Sequence, residues 1–129
     1  IFDVNISCRA DASPIDSQPE KVQRGLTGWG KKMILEMNRL GMIVDLSHVS
    51  ERVMLEALET SKSPVIFSHS SVWELRNHHR NVKDNVLLEL KKNNGVIMIN
   101  FYSSFVIDEG RGNITTIASK VSYHSLKFY

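Results

Sequence analysis

Two histidines in this chain each follow a short run of large apolar residues. His48 ends the run in "IVDLSHVS", residues 43–50, and His69 ends the run in "VIFSHSS", residues 65–71, so the two are 21 residues apart. Imidazole is a common metal ligand, and two neutral imidazoles that converge on one point form part of a metal site. We therefore predict that His48 and His69 bind a metal ion. The alternative is a hydrogen-bonded structural histidine at each position.

Four other side chains are of types that could carry chemistry. Asp45 lies within the first apolar run, where a carboxylate is a metal ligand or a buried structural acceptor; we favour the structural acceptor. His78 and His79 lie in the polar stretch "RNHHRN", which is typical of a solvated surface pair. His124 lies near the end of the chain, in a segment that we do not assign to an element.

The elements that must position these residues begin with helices. Apolar residues three or four positions apart predict a helix that ends at Gly41, where a left-handed residue commonly follows a helix. Ser50 is placed to cap a second helix at about residues 51–60, and a third is expected at about residues 84–93. The inward faces would be Trp29, Met33, Met37 and Leu40 in the first helix, Val53, Met54, Ala57 and Leu58 in the second, and Val86, Leu87 and Leu90 in the third.

Three strands alternate with these helices and start at about residues 42, 65 and 96. The apolar runs are continuous, which is typical of parallel strands buried on both faces. A full (β/α)8 barrel takes about 250 residues. We therefore predict an α/β fold with about three to four βα units, a partial (β/α)8 barrel. In such a barrel the carboxyl ends of the strands carry the chemistry, so His48 and His69 would be neighbours on one rim.

The composition excludes few protein classes. The 129 residues carry 16 basic and 14 acidic residues, a net charge of +2, and the pI is 8.8. The basic residues are scattered, which gives no argument for a nucleic-acid partner. A single cysteine, Cys8, excludes an internal disulfide. No apolar run approaches the roughly 20 residues of a membrane helix, and no signal peptide is visible.

Several segments together resemble the zinc membrane dipeptidase family, also called renal dipeptidase. They read "LTGWGKKMILEMNRLGMIVDLSHVS", "SPVIFSHSS", "HRNVKDNVL" and "GVIMINFYSSFV", and the resemblance runs from Gly25 to Val106 with order and spacing kept. It implies a (β/α)8 barrel that hydrolyses dipeptides at a pair of zinc ions bridged by a carboxylate and a water. It also implies that His48 and His69 bind the same zinc ion, and that Arg80 grips the C-terminal carboxylate of the dipeptide. Without the resemblance, an exposed loop arginine would be the favoured reading of Arg80.

The chain also departs from the family pattern. The early His-x-Asp ligands and the bridging glutamate have no counterpart here, and only Ala10-Asp11 resembles the stretch that carries a substrate-contacting histidine. The late strand that supplies a substrate-contacting aspartate in the family lies beyond Tyr129 or does not exist. We divide the chain into a divergent polar segment at 1–24, a partial dipeptidase barrel at 25–107 and a divergent tail at 108–129.

The departures leave three hypotheses. The chain is a fragment of a zinc dipeptidase, inactive alone and with at most a partial site for one zinc ion. Alternatively it is a catalytically dead truncated homologue that acts as a binding or regulatory module, or a different metal-dependent barrel hydrolase. The resemblance further implies a cell-surface or extracellular location, a lipid (GPI) anchor and a homodimer. The sequons at Asn5 and Asn113 would allow glycosylation of a secreted form.

Overall fold

The computed structural model describes residues 25–106 and 114–128, with the backbone alone at 124 and 126–128. The expected loop at 1–24, the Ala10-Asp11 remnant and the sequon asparagines Asn5 and Asn113 lie outside the described residues. In chain order the elements are α1 Gly28–Arg39, α2 Glu51–Thr60, β1 Ile66–Ser70, a 3-10 helix Trp73–Leu75, α3 Asp84–Asn93, β2 Val96–Ile99, α4 Ser103–Val106 and α5 Ile114–Phe128.

Strands β1 and β2 form a parallel sheet, as predicted. Ile66 pairs with Val96 and Phe67 with Ile97, and the register shifts before Ser70 meets Ile99. The β2 strand is shorter than the expected run into Tyr102. It is also less buried than predicted: Val96 is 51% and Met98 44% exposed within the described residues.

The first predicted strand, at residue 42, is reduced to a single parallel bridge between Asp45 and Ile66. Ile66 N donates to Val44 O at 3.0 Å and Leu46 N donates to Ile66 O at 2.8 Å, so the segment lies beside β1. Beyond this point the Asp45 side chain accepts from Ser47 N at 3.0 Å. That bond turns the backbone away from an extended course, which is why the ladder stops.

The predicted helices α2 and α3 are confirmed. The Ser50 hydroxyl accepts from Val53 N at 3.4 Å and caps α2, and the buried residues of both helices are the predicted ones. Asn94, at φ +59°, ends α3 in the left-handed conformation. Both helices contribute to one apolar core that also contains Phe67, which is fully buried in β1.

The buried face of α1 matches the predicted one only in part. Ile34 and Met37 are buried, whereas Trp29 is 62% and Leu40 56% exposed. Asn38 sets this rotation: its Nδ2 donates to Ser61 Oγ at 3.1 Å, and its Oδ1 accepts from the backbone of Lys62 at 2.7 Å. Since Asn38 is one turn after Ile34, these bonds turn the Ile34 side of the helix toward the core. Gly41 follows α1 at φ +71°, as predicted.

Candidate functional site

The two histidines lie at the same edge of the small sheet. His48 belongs to the loop between the Asp45 bridge and α2, and His69 is the fourth residue of β1. Their Nε2 atoms are 2.6 Å apart, and their ring centroids are 4.8 Å apart at an interplanar angle of 62°. Both residues are partly buried. The tertiary structure therefore brings together the two candidate ligands that sequence spacing singled out.

The backbone at His48 is in a conformation that L-residues rarely adopt. Its φ is +72°, and among the described non-glycine residues only Asn94 shares a positive φ. The left-handed region costs a non-glycine residue about 1–2 kcal/mol. The turn at Asp45–Ser47 on one side and the Ser50 cap on the other hold His48 there, and the result directs its ring toward His69.

Asp45 and three serines form a polar network under the histidine pair. Ser68 Oγ lies 2.7 Å from His69 Nδ1 and donates to Asp45 Oδ2 in a short hydrogen bond. Asp45 Oδ1 also accepts from Ser68 N at 3.1 Å. Ser47 Oγ accepts from His69 N at 3.1 Å and lies 3.4 Å from Ser70 Oγ. Asp45 is 6% exposed and serves as a structural acceptor, the role that we favoured.

Sequence reasoning missed the role of the serines. Ser47 precedes His48 and Ser68 precedes His69, so the dipeptide Ser-His occurs at both positions. That repetition was the available signal. It acquires meaning only when the loop and β1 are adjacent, because the Ser68 hydroxyl then donates to Asp45 and lies 3.4 Å from the Ser47 hydroxyl.

Arg80 is buried, at 8% exposed, so the alternative of an exposed loop arginine is wrong. Its guanidinium carbon lies 5.0 Å from the centroid of the Phe105 ring, a cation–π arrangement. The neighbouring Asn81 donates from Nδ2 to Arg76 O at 2.9 Å and to Phe105 O at 2.7 Å. These bonds hold the Arg80 segment against α4.

The pair of His78 and His79 is only in part the solvated surface pair that we predicted. His79 is exposed, and its ring centroid lies 4.3 Å from that of His78. His78 packs against Phe105 at 4.6 Å between centroids, and its Nδ1 accepts from Arg80 N at 3.2 Å. His78 therefore supports the backbone of Arg80. His124 falls within α5.

The donor chemistry of the histidine pair fits part of a metal site. The two nitrogens that face each other are the kind of ligand that zinc and other transition metals accept. Within residues 25–106 and 114–128, no group of three or more histidine, cysteine or carboxylate side chains is arranged to hold a metal ion. The described residues thus supply two ligands, and the metal-binding role of His48 and His69 stays a prediction.

Comparison with known proteins identifies close sequence relatives. An uncharacterised dipeptidase of Schizosaccharomyces pombe is 55% identical over 92 residues, 71% of this chain and 22% of that protein. Dipeptidase tcpJ of Claviceps purpurea is 59% identical over 80 residues, 62% of this chain and 19% of that protein. This chain therefore spans about a fifth of the length of these curated relatives.

Solved structures share the fold. An amidohydrolase from Pseudomonas aeruginosa superimposes with a TM-score of 0.76 at 31% identity, and dipeptidase AC, a metallo peptidase of family M19, with 0.76 at 26%. Each match covers 81% of this chain and 32% of the other. The predicted partial barrel is confirmed. The model of the membrane dipeptidase family, peptidase family M19, matches residues 3–126, and the chain belongs to that family.

Proposed function

We propose that this chain forms part of a zinc-dependent dipeptidase, which hydrolyses the peptide bond of dipeptides with metal-activated water. The observation that carries the proposal is the convergence of His48 and His69, whose Nε2 atoms are 2.6 Å apart at one edge of the parallel sheet. The dipeptidase names of the two relatives support the substrate class. Among the solved structures, dipeptidase AC is described as a metallo peptidase, which supports a metal-dependent reaction.

Each proposed residue has one role. His48 and His69 would hold the same metal ion through Nε2, and imidazole is a ligand that suits zinc. When bound, zinc supplies the Lewis acidity that makes a water molecule nucleophilic near neutral pH. The Asp45 network keeps the His69 ring in place beneath this point. The complete enzyme would hold two zinc ions, and this chain would contribute ligands to one of them.

Arg80 is proposed to bind the C-terminal carboxylate of the dipeptide. A guanidinium forms paired hydrogen bonds with a carboxylate, and burial strengthens such a charge-assisted contact. The packing of Arg80 on Phe105 supports this role, because it holds the guanidinium against an aromatic ring. In a dipeptide the free C-terminal carboxylate lies one residue after the scissile bond. Recognition of that carboxylate by Arg80 would explain a preference for dipeptides over longer chains.

We further propose that the chain alone does not hydrolyse dipeptides. Two imidazoles leave a tetrahedral zinc ion with two coordination positions to fill. They are also neutral ligands, so they do not offset the positive charge of the two zinc ions in the complete enzyme. The same partial donor set suits a non-catalytic homologue that acts as a binding or regulatory module, so the experiment below separates the two readings.

A cell-surface location, a lipid anchor, glycosylation and a homodimer remain proposals supported by the family resemblance. No helix in the described part of the chain is long and apolar enough to cross a membrane. Treatment of a secreted eukaryotic preparation with an N-glycosidase would test glycosylation, since occupied sequons at Asn5 or Asn113 would lower the apparent mass on removal.

The zinc content of the purified chain tests the proposal. After dialysis against zinc and removal of excess metal, we expect about one zinc ion per chain. The double variant His48→Ala/His69→Ala should hold none, because both imidazole ligands are removed. His79→Ala is the matched control: it removes an exposed histidine outside the pair and should leave the zinc content unchanged.

Two outcomes would contradict the proposal: zinc that is absent from the unaltered chain, or zinc that the double variant retains. If zinc binds as expected, the chain is mixed with the remaining part of a full-length dipeptidase relative. Appearance of dipeptide hydrolysis supports the enzyme fragment, whereas binding without hydrolysis in any mixture supports the non-catalytic module.

A further inference from the structure

The hydrogen bonds around His69 determine which of its ring nitrogens carries the proton. Asp45 accepts through Oδ1 from two backbone amides, Ser47 N at 3.0 Å and Ser68 N at 3.1 Å. Its second oxygen, Oδ2, faces the Ser68 hydroxyl. A carboxylate can only accept, so the single hydroxyl proton of Ser68 points at Asp45.

With its proton used, the Ser68 oxygen offers only lone pairs to its other neighbour. That neighbour is His69 Nδ1, at 2.7 Å. Two lone pairs do not form a hydrogen bond, so His69 Nδ1 must be the donor. The neutral His69 ring then carries its one proton at Nδ1 and leaves a lone pair at Nε2, which is the nitrogen that faces His48.

We propose that Asp45 and Ser68 hold His69 in the Nδ1-protonated tautomer, which leaves the lone pair of its Nε2 available to bind a metal ion. Ser68 and Asp45 are positioning residues for the metal ligand. The statement about metal rests on the proposed function, whereas the tautomer of His69 in the metal-free chain does not.

A purely structural reading of the same network makes a different prediction. If Asp45 and Ser68 only close the turn before His48, their loss would loosen the loop without selecting a nitrogen on His69. The backbone bonds from Ser47 and Ser68 to Asp45 Oδ1 would serve that purpose without the Ser68 hydroxyl. The protonated nitrogen of His69 is thus the observable that separates the two readings.

The protonated ring nitrogen of His69 can be measured directly. The method is long-range ¹H–¹⁵N correlation spectroscopy of the metal-free chain with ¹⁵N-labelled histidine, in mildly alkaline buffer. We expect pyrrole-type Nδ1 and pyridine-type Nε2 in His69. Addition of Zn²⁺ alone should leave the protonated nitrogen of His69 unchanged. An Nε2-protonated His69 in the metal-free chain, or a His69 proton that moves on zinc binding, would overturn the proposal.

Variants at the serines provide the second arm. Ser68→Ala removes the acceptor for His69 Nδ1, so we expect a mixture of His69 tautomers and a loss of zinc affinity of about 10–100-fold. Ser68→Thr keeps a hydroxyl and should retain both properties. Ser71→Ala is the matched control, because this buried serine is two positions after His69 and its hydroxyl has no hydrogen-bond partner among the described residues.

The outcomes of the two arms are distinguishable. If Ser68→Ala leaves the His69 tautomer as in the unaltered chain, the positioning role is wrong. If that variant fails to give dispersed amide spectra, the unaltered chain still decides the tautomer of His69. If that tautomer is as stated but no zinc binds, the proposed metal function fails while the proton assignment stands.

Discussion

At the scale of single residues, the carboxylate of Asp45 does the most to organise the candidate site. It accepts from two backbone amides and one hydroxyl, and through them it connects the loop of His48 with the strand of His69. The sequence identified both histidines because each interrupts an apolar run. It did not identify the connection, since Asp45 and Ser68 are 23 residues apart and meet only across the parallel bridge.

Lys120 supports a prediction at the same scale. Its side chain is 1% exposed, its Nζ has no hydrogen-bond partner among the described residues, and burial together with the nearby charge of Arg76 lowers its pKa from 10.5 to about 8. The unfolded chain then binds more protons than the folded chain between about pH 8 and 10.5, so stability should rise with pH across that window. Below about pH 8 the cost of burying the charge is present in full.

Lys120→Met should remove that cost. We expect the free energy of unfolding at neutral pH to rise by about 1–3 kcal/mol and the increase between pH 8 and 10.5 to disappear, measured by urea unfolding at several pH values. Lys91→Met, at an exposed position in α3, is the control and should keep the pH dependence of the unaltered chain. A flat profile in the unaltered chain would refute the prediction.

At the scale of elements, α2 and α3 were predicted to the residue, whereas α1 and the strands were not. The two helices have strong local signals: a serine cap, a left-handed terminal residue and apolar residues on one face. The rotation of α1 depends on Asn38, whose partners Ser61 and Lys62 come after the next helix. Local periodicity cannot include such a contact, so Trp29 and Leu40 were wrongly placed on the buried face.

The junction between α3 and β2 provides a prediction at this scale. A Cβ added at Gly95 would lie 2.6 Å from the backbone oxygen of Val65 and would also meet Leu90 Cδ1. Because Val96 N donates to that same oxygen at 3.1 Å, the strand cannot move away without losing a ladder bond. Gly95→Ala should therefore destabilise the chain by about 1–3 kcal/mol in urea unfolding.

Gly28→Ala is the matched control for this substitution. A Cβ at Gly28 meets no heavy atom within 4 Å, and alanine is the better helix former at the start of α1. The control should leave stability unchanged or raise it by up to about 1 kcal/mol. Equal effects of the two substitutions would show that the crowding at Gly95 has no energetic consequence.

At the scale of the whole molecule, the chain is a section of a barrel with one apolar core. It covers about a fifth of the length of its curated relatives. In β2, the side chains of Val96 and Met98 are each about half exposed. The sequence predicted parallel strands buried on both faces. That expectation holds for Phe67 in β1, whereas the outer residues of β2 are not covered by the described residues.

Zinc should couple the candidate site to the stability of this whole unit. His48 and His69 converge only in the folded chain, so an ion held by both stabilises folding, by about 2.7 kcal/mol at a free concentration 100 times its dissociation constant. We expect zinc to raise the thermal unfolding midpoint of the unaltered chain but not that of His69→Ala. The His79→Ala control should respond like the unaltered chain, and an equal response of His69→Ala would contradict the shared site.

The sequence by itself determined the α/β class, the helices α2 and α3, the positions of His48 and His69 and the family, because all of these depend on local patterns or on motifs read along the chain. The tertiary structure decided that the two imidazoles meet at 2.6 Å, that Asp45 and Ser68 orient one of them, and that Arg80 is buried against Phe105. These features depend on contacts between segments more than 20 residues apart. Such contacts exist only once the hydrophobic core has brought the strands and helices together.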